Sequence, residues 1–209
     1  IQVVMEFARE GVTEIEIAKE IKKTIIESGA DPIFILLGGG ARGGYNICWP
    51  TEYKLKKGDV IRLDLGATYK GYASDAARSI IVGEPSEQVK KIISANRRAV
   101  EKVIEAIRPG VTLGELFDIG VKSWKESGFP EYSRGTYIGH GVGIRDHEYP
   151  DIRPRSKIRL KPGMVMAIEV PLYVHGLGGF NIEDTVLVTE EGYEYIGPYP
   201  RVERELIIE

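Results

Sequence analysis

The chain has 209 residues, 43% of them hydrophobic, which suits one large domain or two small halves with a buried core. A net charge of −3 leaves no basic stripe and argues against nucleic acid or an anionic membrane as a partner. A single cysteine, Cys48, excludes an internal disulfide framework and fits a reducing cytosol, and no apolar run approaches the ~18 residues of a membrane span.

The chain opens at Ile1 without a methionine and runs into Val3, Val4, Met5 and Phe7, which reads as the tail of a helix, so an N-terminal portion is expected to be missing. Glutamine occurs only at Gln2 and Gln88 while Lys, Arg and Glu abound, a balance that points to a thermophile. Gly11-Val12-Thr13 predicts a helix capped by Thr13 with Glu16 completing the box, apolar at Ile17, Ile21 and Ile25 and stopped at Gly29. The glycines of LLGGGARGG lack the Lys-Ser or Lys-Thr of a phosphate loop and read as backbone bordering a site. Ser86 predicts the cap of a long amphipathic helix through Val89, Ile92, Ile93, Val100, Val103 and Ile104 that Pro109-Gly110 ends.

Gly110-Val111-Thr112 then repeats the first helix start, with Thr112 and Glu115 as the box and Glu126-Ser127-Gly128 matching Glu27-Ser28-Gly29. The strand lead-ins also match: Leu55-Lys56-Lys57-Gly58-Asp59-Val60 against Leu160-Lys161-Pro162-Gly163-Met164-Val165. Three landmarks in one order indicate an internal duplication, roughly 11–84 and 110–193. The fold class expected is α+β: two similar halves, each with helices and antiparallel strands, whose curved sheets face a shared site with the helices outside.

Each copy carries two carboxylates. Asp64 lies in the apolar strand Ile61–Leu65 and Asp75 on the return strand, with the turn among Tyr69, Lys70 and Gly71. A Tyr69-Lys70 turn places the two acids directly opposite one another, and a Lys70-Gly71 turn makes them diagonal neighbours on the same face. Such a pair without a cation repels by roughly 4 kcal/mol at intermediate dielectric. Glu169 and Glu183 form the second pair, around a hairpin with Gly176 midway, and His140 sits between glycines in Gly139–Gly143. Four carboxylates and one imidazole in one pocket call for two divalent ions, which share a water, lower its pKa and polarise the carbonyl it attacks. Oxygen-rich ligands with one nitrogen favour Mn, Co, Fe or Zn.

Asp64 followed eleven positions later by Asp75, then GHGVG, then HE-x-P seven positions after His140, then IE and IEDTVLVTEEG, resembles the creatinase and aminopeptidase "pita-bread" metallopeptidase family over nearly the whole chain. KLKKGD, the Gly83–Ser86 stretch and IRPGVT are most similar to its Xaa-Pro dipeptidase and aminopeptidase P branch. The resemblance implies that Asp64, Asp75, His140, Glu169 and Glu183 hold two ions, usually Mn or Co, and that Glu169 assists proton transfer. It further implies that His147 hydrogen-bonds the scissile group and stabilises the tetrahedral intermediate, and that the protein is a homodimer with a separate N-terminal domain.

The substrate-recognition residues depart from that branch. Asn46, Ile47, Cys48 and Trp49 occupy a stretch that usually holds a histidine, Thr136 replaces another histidine, and Asn181 stands where an arginine is common. Ile47, Trp49, His175 and Asn181 are therefore the expected pocket residues, with Cys48 a further candidate wall. The expected reaction is amide hydrolysis of Xaa-Pro dipeptides or peptides. Hydrolysis of a small amide or amidine compound is the alternative, and a non-catalytic binding module a third reading, disfavoured because none of the five ligands is replaced.

Overall fold

The computed structural model describes residues 1–129, 136–197 and 206–208. The chain begins with helix α1 (Gln2–Phe7) and helix α2 (Glu14–Glu27), continues into strand β1 (Asp31–Gly39) and a 3-10 turn (Gly40–Gly44), and then forms β2 (Val60–Tyr69) and β3 (Tyr72–Val82). Helices α3 (Glu87–Glu105) and α4 (Leu113–Ser127) follow. Strands β4 (Gly139–Gly141), β5 (Val165–Glu169), β6 (Leu172–Val174), β7 (Gly178–Phe180), β8 (Glu183–Val188), β9 (Tyr193–Tyr195) and β10 (Leu206–Ile208) complete the described elements.

The main sheet runs β1-β2-β3-β8-β5-β4, with β9 alongside β8 and β10 parallel to β3. Two apolar clusters pack on the helix-bearing side. One joins α1 and α2 to Leu37, Ile61, Leu63 and Ile80, and the other joins α3 and α4 to Met166, Ile168 and Val186. Because strand side chains alternate, burying Ile61, Leu63, Ile80 and Ile168 on that side turns Asp64, Asp75 and Glu169 to the other face.

The two helix starts are built alike. Thr13 Oγ1 accepts the Glu16 N–H at 3.2 Å and the Glu16 carboxylate accepts the Thr13 N–H at 2.8 Å, and Thr112 with Glu115 repeats both distances. Gly11 donates to the Leu55 carbonyl and Leu55 to Val12, just as Gly110 donates to Leu160 and Leu160 to Val111.

Between β2 and β3 the register pairs Tyr69 with Tyr72, so the turn is Lys70-Gly71, the second of the two turns the sequence allowed. Both residues have positive φ, 49° and 84°, as a two-residue hairpin turn matching strand twist requires. The Glu169–Glu183 connection is longer than one hairpin: β6 and β7 pair with each other as a separate two-stranded ribbon, and Gly176 turns it with φ 83°.

Candidate metal centre

Strand register explains how residues far apart in sequence meet. Asp64 pairs with Ala77, Ala77 with Glu183, and Glu183 with Glu169, which makes one row across β2, β3, β8 and β5. The neighbouring row holds Asp75, opposite Gly66, then Thr185, opposite Ala167, and His140, opposite Ala167 from β4. Asp64 and Asp75 are thus diagonal neighbours. Small residues at Gly66, Ala77 and Ala167 leave the space above the rows to the five larger side chains. A Cβ at Gly139 would collide with the Ala167 carbonyl, so the glycine before His140 is what lets β4 close onto β5.

All five line one cavity of about 360 Å³. Asp75, His140, Glu169 and Glu183 are buried, and Asp64 is nearly so. His140 Nδ1–H donates to the Gly141 carbonyl at 3.1 Å, which leaves Nε2 as the free nitrogen, 3.5 Å from Glu183 Oε1 and 3.8 Å from Asp75 Oδ2. Asp75, His140 and Glu183 each offer a ligand atom within 4.8 Å of the others. Asp75 Oδ1 and Glu183 Oε1 are buried without a hydrogen-bond partner.

The electrostatics follow from this crowding. Burial, then Glu183, Asp64 and Glu169, push the Asp75 carboxyl up to about 11. Burial raises Asp64 to about 6 against the pull of Arg62. Burial and the neighbouring carboxylates likewise raise Glu169 and Glu183. Buried acids with orphaned oxygens facing an imidazole lone pair are stable only with protons or cations between them, and a divalent ion fits the donor set.

The other site residues are placed as follows. His147 lines the same cavity with its ring stacked on His140, centroids 3.9 Å apart and planes 10° apart. Ile47 and Trp49 line the mouth and are mostly exposed. His175 lines an adjoining cavity of about 660 Å³, edge-on to Tyr45, together with Thr136, Tyr137 and Tyr173. Asn181 differs from expectation: it is fully buried and lines neither cavity, and its side-chain amide donates to Glu169 Oε2 at 2.9 Å, so it orients a carboxylate rather than facing substrate. Cys48 is buried against Arg42 and also lies outside both linings.

Sequence reasoning missed Arg62, Tyr137 and Asp146. Fully buried Arg62 sits 3.6 Å from Asp64 Oδ2, donates to the Tyr45 and Asn46 carbonyls, and stacks on Tyr173. Its signal was available: Arg62 is two residues from Asp64, hence on the same face of a strand whose other members are apolar. Tyr137 stands edge-on to both His140 and His147, and burial raises its hydroxyl to about 12. Asp146 adds an acid at the mouth and helps raise Asp64 and Asp75.

The family model for metallopeptidase family M24 matches residues 1–190. An uncharacterized peptidase of Staphylococcus aureus (strain USA300) is 35% identical over 205 residues, covering 96% of this chain and 58% of that protein. Among solved structures, an Xaa-Pro dipeptidase from Bacillus anthracis is similar with a TM-score of 0.94 at 35% identity, covering 99% of this chain and 58% of that one. The dipeptidase PepE from Mycobacterium ulcerans also has a TM-score of 0.94, at 32% identity, covering 99% and 56%. The curled antiparallel sheet with helices outside is the pita-bread arrangement of these neighbours. The chain spans about 58% of the length of the curated relatives it matches.

Proposed function

This chain belongs to metallopeptidase family M24, and from that membership we propose that it is the catalytic portion of a hydrolase that cleaves an amide bond with two divalent ions, Mn or Co in first place. The observation that carries the reading is the two-row array of Asp64, Asp75, His140, Glu169 and Glu183, with orphaned carboxylate oxygens and, among the described residues, no Lys or Arg in the lining. Two ions would supply the positive charge that four carboxylates lack and the Lewis acidity for hydrolysis. The chain's own residues do the rest. Asn181 and Arg62 orient Glu169 and Asp64, Glu169 holds a proton during the reaction, and His147, stacked at the cavity edge, hydrogen-bonds the substrate.

The substrate reading is a short peptide with proline in second position, supported by the Xaa-Pro dipeptidase likeness and by the aromatic adjoining cavity of Tyr45, Tyr137 and Tyr173. The alternative, a smaller amide or amidine, is favoured by one observation: among the described residues, no arginine or lysine lines either cavity to pair with a peptide carboxylate. The matching contacts at Thr13 and Thr112 support reading the two halves as copies of one unit.

The first test is metal stoichiometry: strip with chelator, reload with Mn or Co, desalt and count ions per chain. Close to two is expected. Close to zero in a folded protein would sink the reading. Turnover of Leu-Pro against a cyclic amidine by the full-length protein then separates the two substrate classes.

A further inference from the structure

His147 is held by a chain of contacts that leads away from the metal ligands. Its Nε2 lies 2.9 Å from Asp151 Oδ1, four residues on. A carboxylate can only accept, so Nε2 carries the proton. The opposite oxygen, Asp151 Oδ2, accepts from Arg153 Nε at 2.7 Å and from Arg153 Nη2 at 2.6 Å. The Arg153 guanidinium in turn lies over the Tyr137 ring at 5.4 Å, and Tyr137 stands edge-on to His147 at 5.3 Å. The circuit is closed: Arg153 fixes Asp151, Asp151 fixes one edge of His147, Tyr137 flanks its ring, and His140 covers one face.

The Asp151 side chain is 17% exposed, while those of His147 and Arg153 are 39% and 50% exposed. The carboxylate is thus the shielded middle member between two more open groups. Burial alone would raise its pKa, yet the hydrogen bonds from His147 and Arg153 outweigh that and hold it below the usual range, so it stays an anion. An imidazole that is more than a third exposed and lacks such a partner samples both tautomers and several ring orientations.

We propose that Asp151 is a positioning residue for His147: it accepts the Nε2 proton and locks the ring parallel to His140. This rests on the proposed role of His147 in hydrolysis. Arg153 acts one step further back, by orienting the carboxylate and balancing its charge.

The test uses the full-length protein and pairs an activity-free readout with kinetics. Long-range ¹H–¹⁵N spectra of the histidine-labelled, chelator-treated protein report the tautomer of each imidazole. Wild type is expected to show His147 protonated at Nε2, and Asp151→Ala to show a tautomer mixture. Loaded with Mn, Asp151→Ala is expected to lower kcat on Leu-Pro or Leu-Leu by roughly 10- to 100-fold, the range seen when outer-shell partners of working histidines are removed, with KM little changed. Asp151→Asn, which keeps an acceptor oxygen, is expected to recover most of the loss. In a His147→Ala background the Asp151→Ala change is expected to add nothing further. A merely structural role would instead lower melting temperature or metal content and leave the tautomer alone. The proposal is overturned if wild-type His147 carries its proton on Nδ1, or if Asp151→Ala matches wild type while His147→Ala is impaired. If wild type turns over neither dipeptide while the spectra show the Asp151-dependent tautomer, the positioning contact stands and the hydrolase reading fails.

Discussion

Asp75 and Glu183 carry the sharpest conflict in the molecule, since each has a buried oxygen with no partner and several anions as neighbours. Replacing either by its amide removes one charge and one candidate ligand. Asp75→Asn and Glu183→Gln are each expected to bring bound metal below two ions per chain while circular dichroism stays unchanged. In chelated protein each variant is expected to melt no lower than wild type, because an amide tolerates the crowd that a carboxylate does not. Full metal content in either variant would refute the ligand assignment. The five candidate residues that the structure brings into one cavity could be picked from the sequence because paired acids in apolar strands have few bland explanations. The supporting residues could not. Asn181 was expected in the pocket because it stands where the resembled branch commonly has an arginine, but its contact to Glu169 depends on the fold of the intervening β6–β7 ribbon, which no local pattern reveals. Asp151 was hidden differently: it sits in a turn after His147 where any polar residue is unremarkable, and only its 2.9 Å approach to Nε2 singles it out.

Elements whose signals are local were legible, and those whose geometry depends on a partner strand were less so. The capping boxes of α2 and α4 span four residues each and form as read. Thr13→Ala and Thr112→Ala are each expected to cost about 1 kcal/mol in chemical denaturation, with similar values at the two starts because the contacts match. The hairpin was legible only to within one residue, since Tyr69, Lys70 and Gly71 all suit a turn. What decides it is that two consecutive positive φ values favour glycine at one of the two positions. Gly71→Ala is expected to cost about 1–2 kcal/mol although nothing lies within 4 Å of the added methyl, because the penalty is in the backbone itself. An unchanged unfolding midpoint would show that the turn can shift to the alternative register, which would also move Asp64 opposite Asp75.

For the molecule as a whole, the crowded acids dictate how stability responds to pH. In chelated protein Asp64 is raised to about 6 and Asp75 to about 11, so the folded state keeps protons that an unfolded chain gives up near 4. A raised acid contributes its share below the unfolded pKa and loses it as pH climbs toward the folded one. The chelated protein is therefore expected to melt lower at pH 8 than at pH 5.5, and added Mn to raise the melting temperature more at pH 8, where the ligands give up fewer protons on binding. A chelated melting temperature that rises across that window would mean the acids are not forced together. The rows of candidate ligands also cross the join between β3 and β8, which pair through a single backbone position, Ala77 with Glu183. Elsewhere along it the described contacts are made by side chains: Arg78 donates to the Glu183 carbonyl, Thr185 to the Asp75 carbonyl, and Ser79 exchanges hydrogen bonds with the Asn181 backbone. Such a join is laced rather than zipped. Its width, and with it the span between the acids of the two flanking blocks, is set by three side-chain lengths, so conservative changes at Ser79 or Thr185 would act as a gauge on the aperture of the centre.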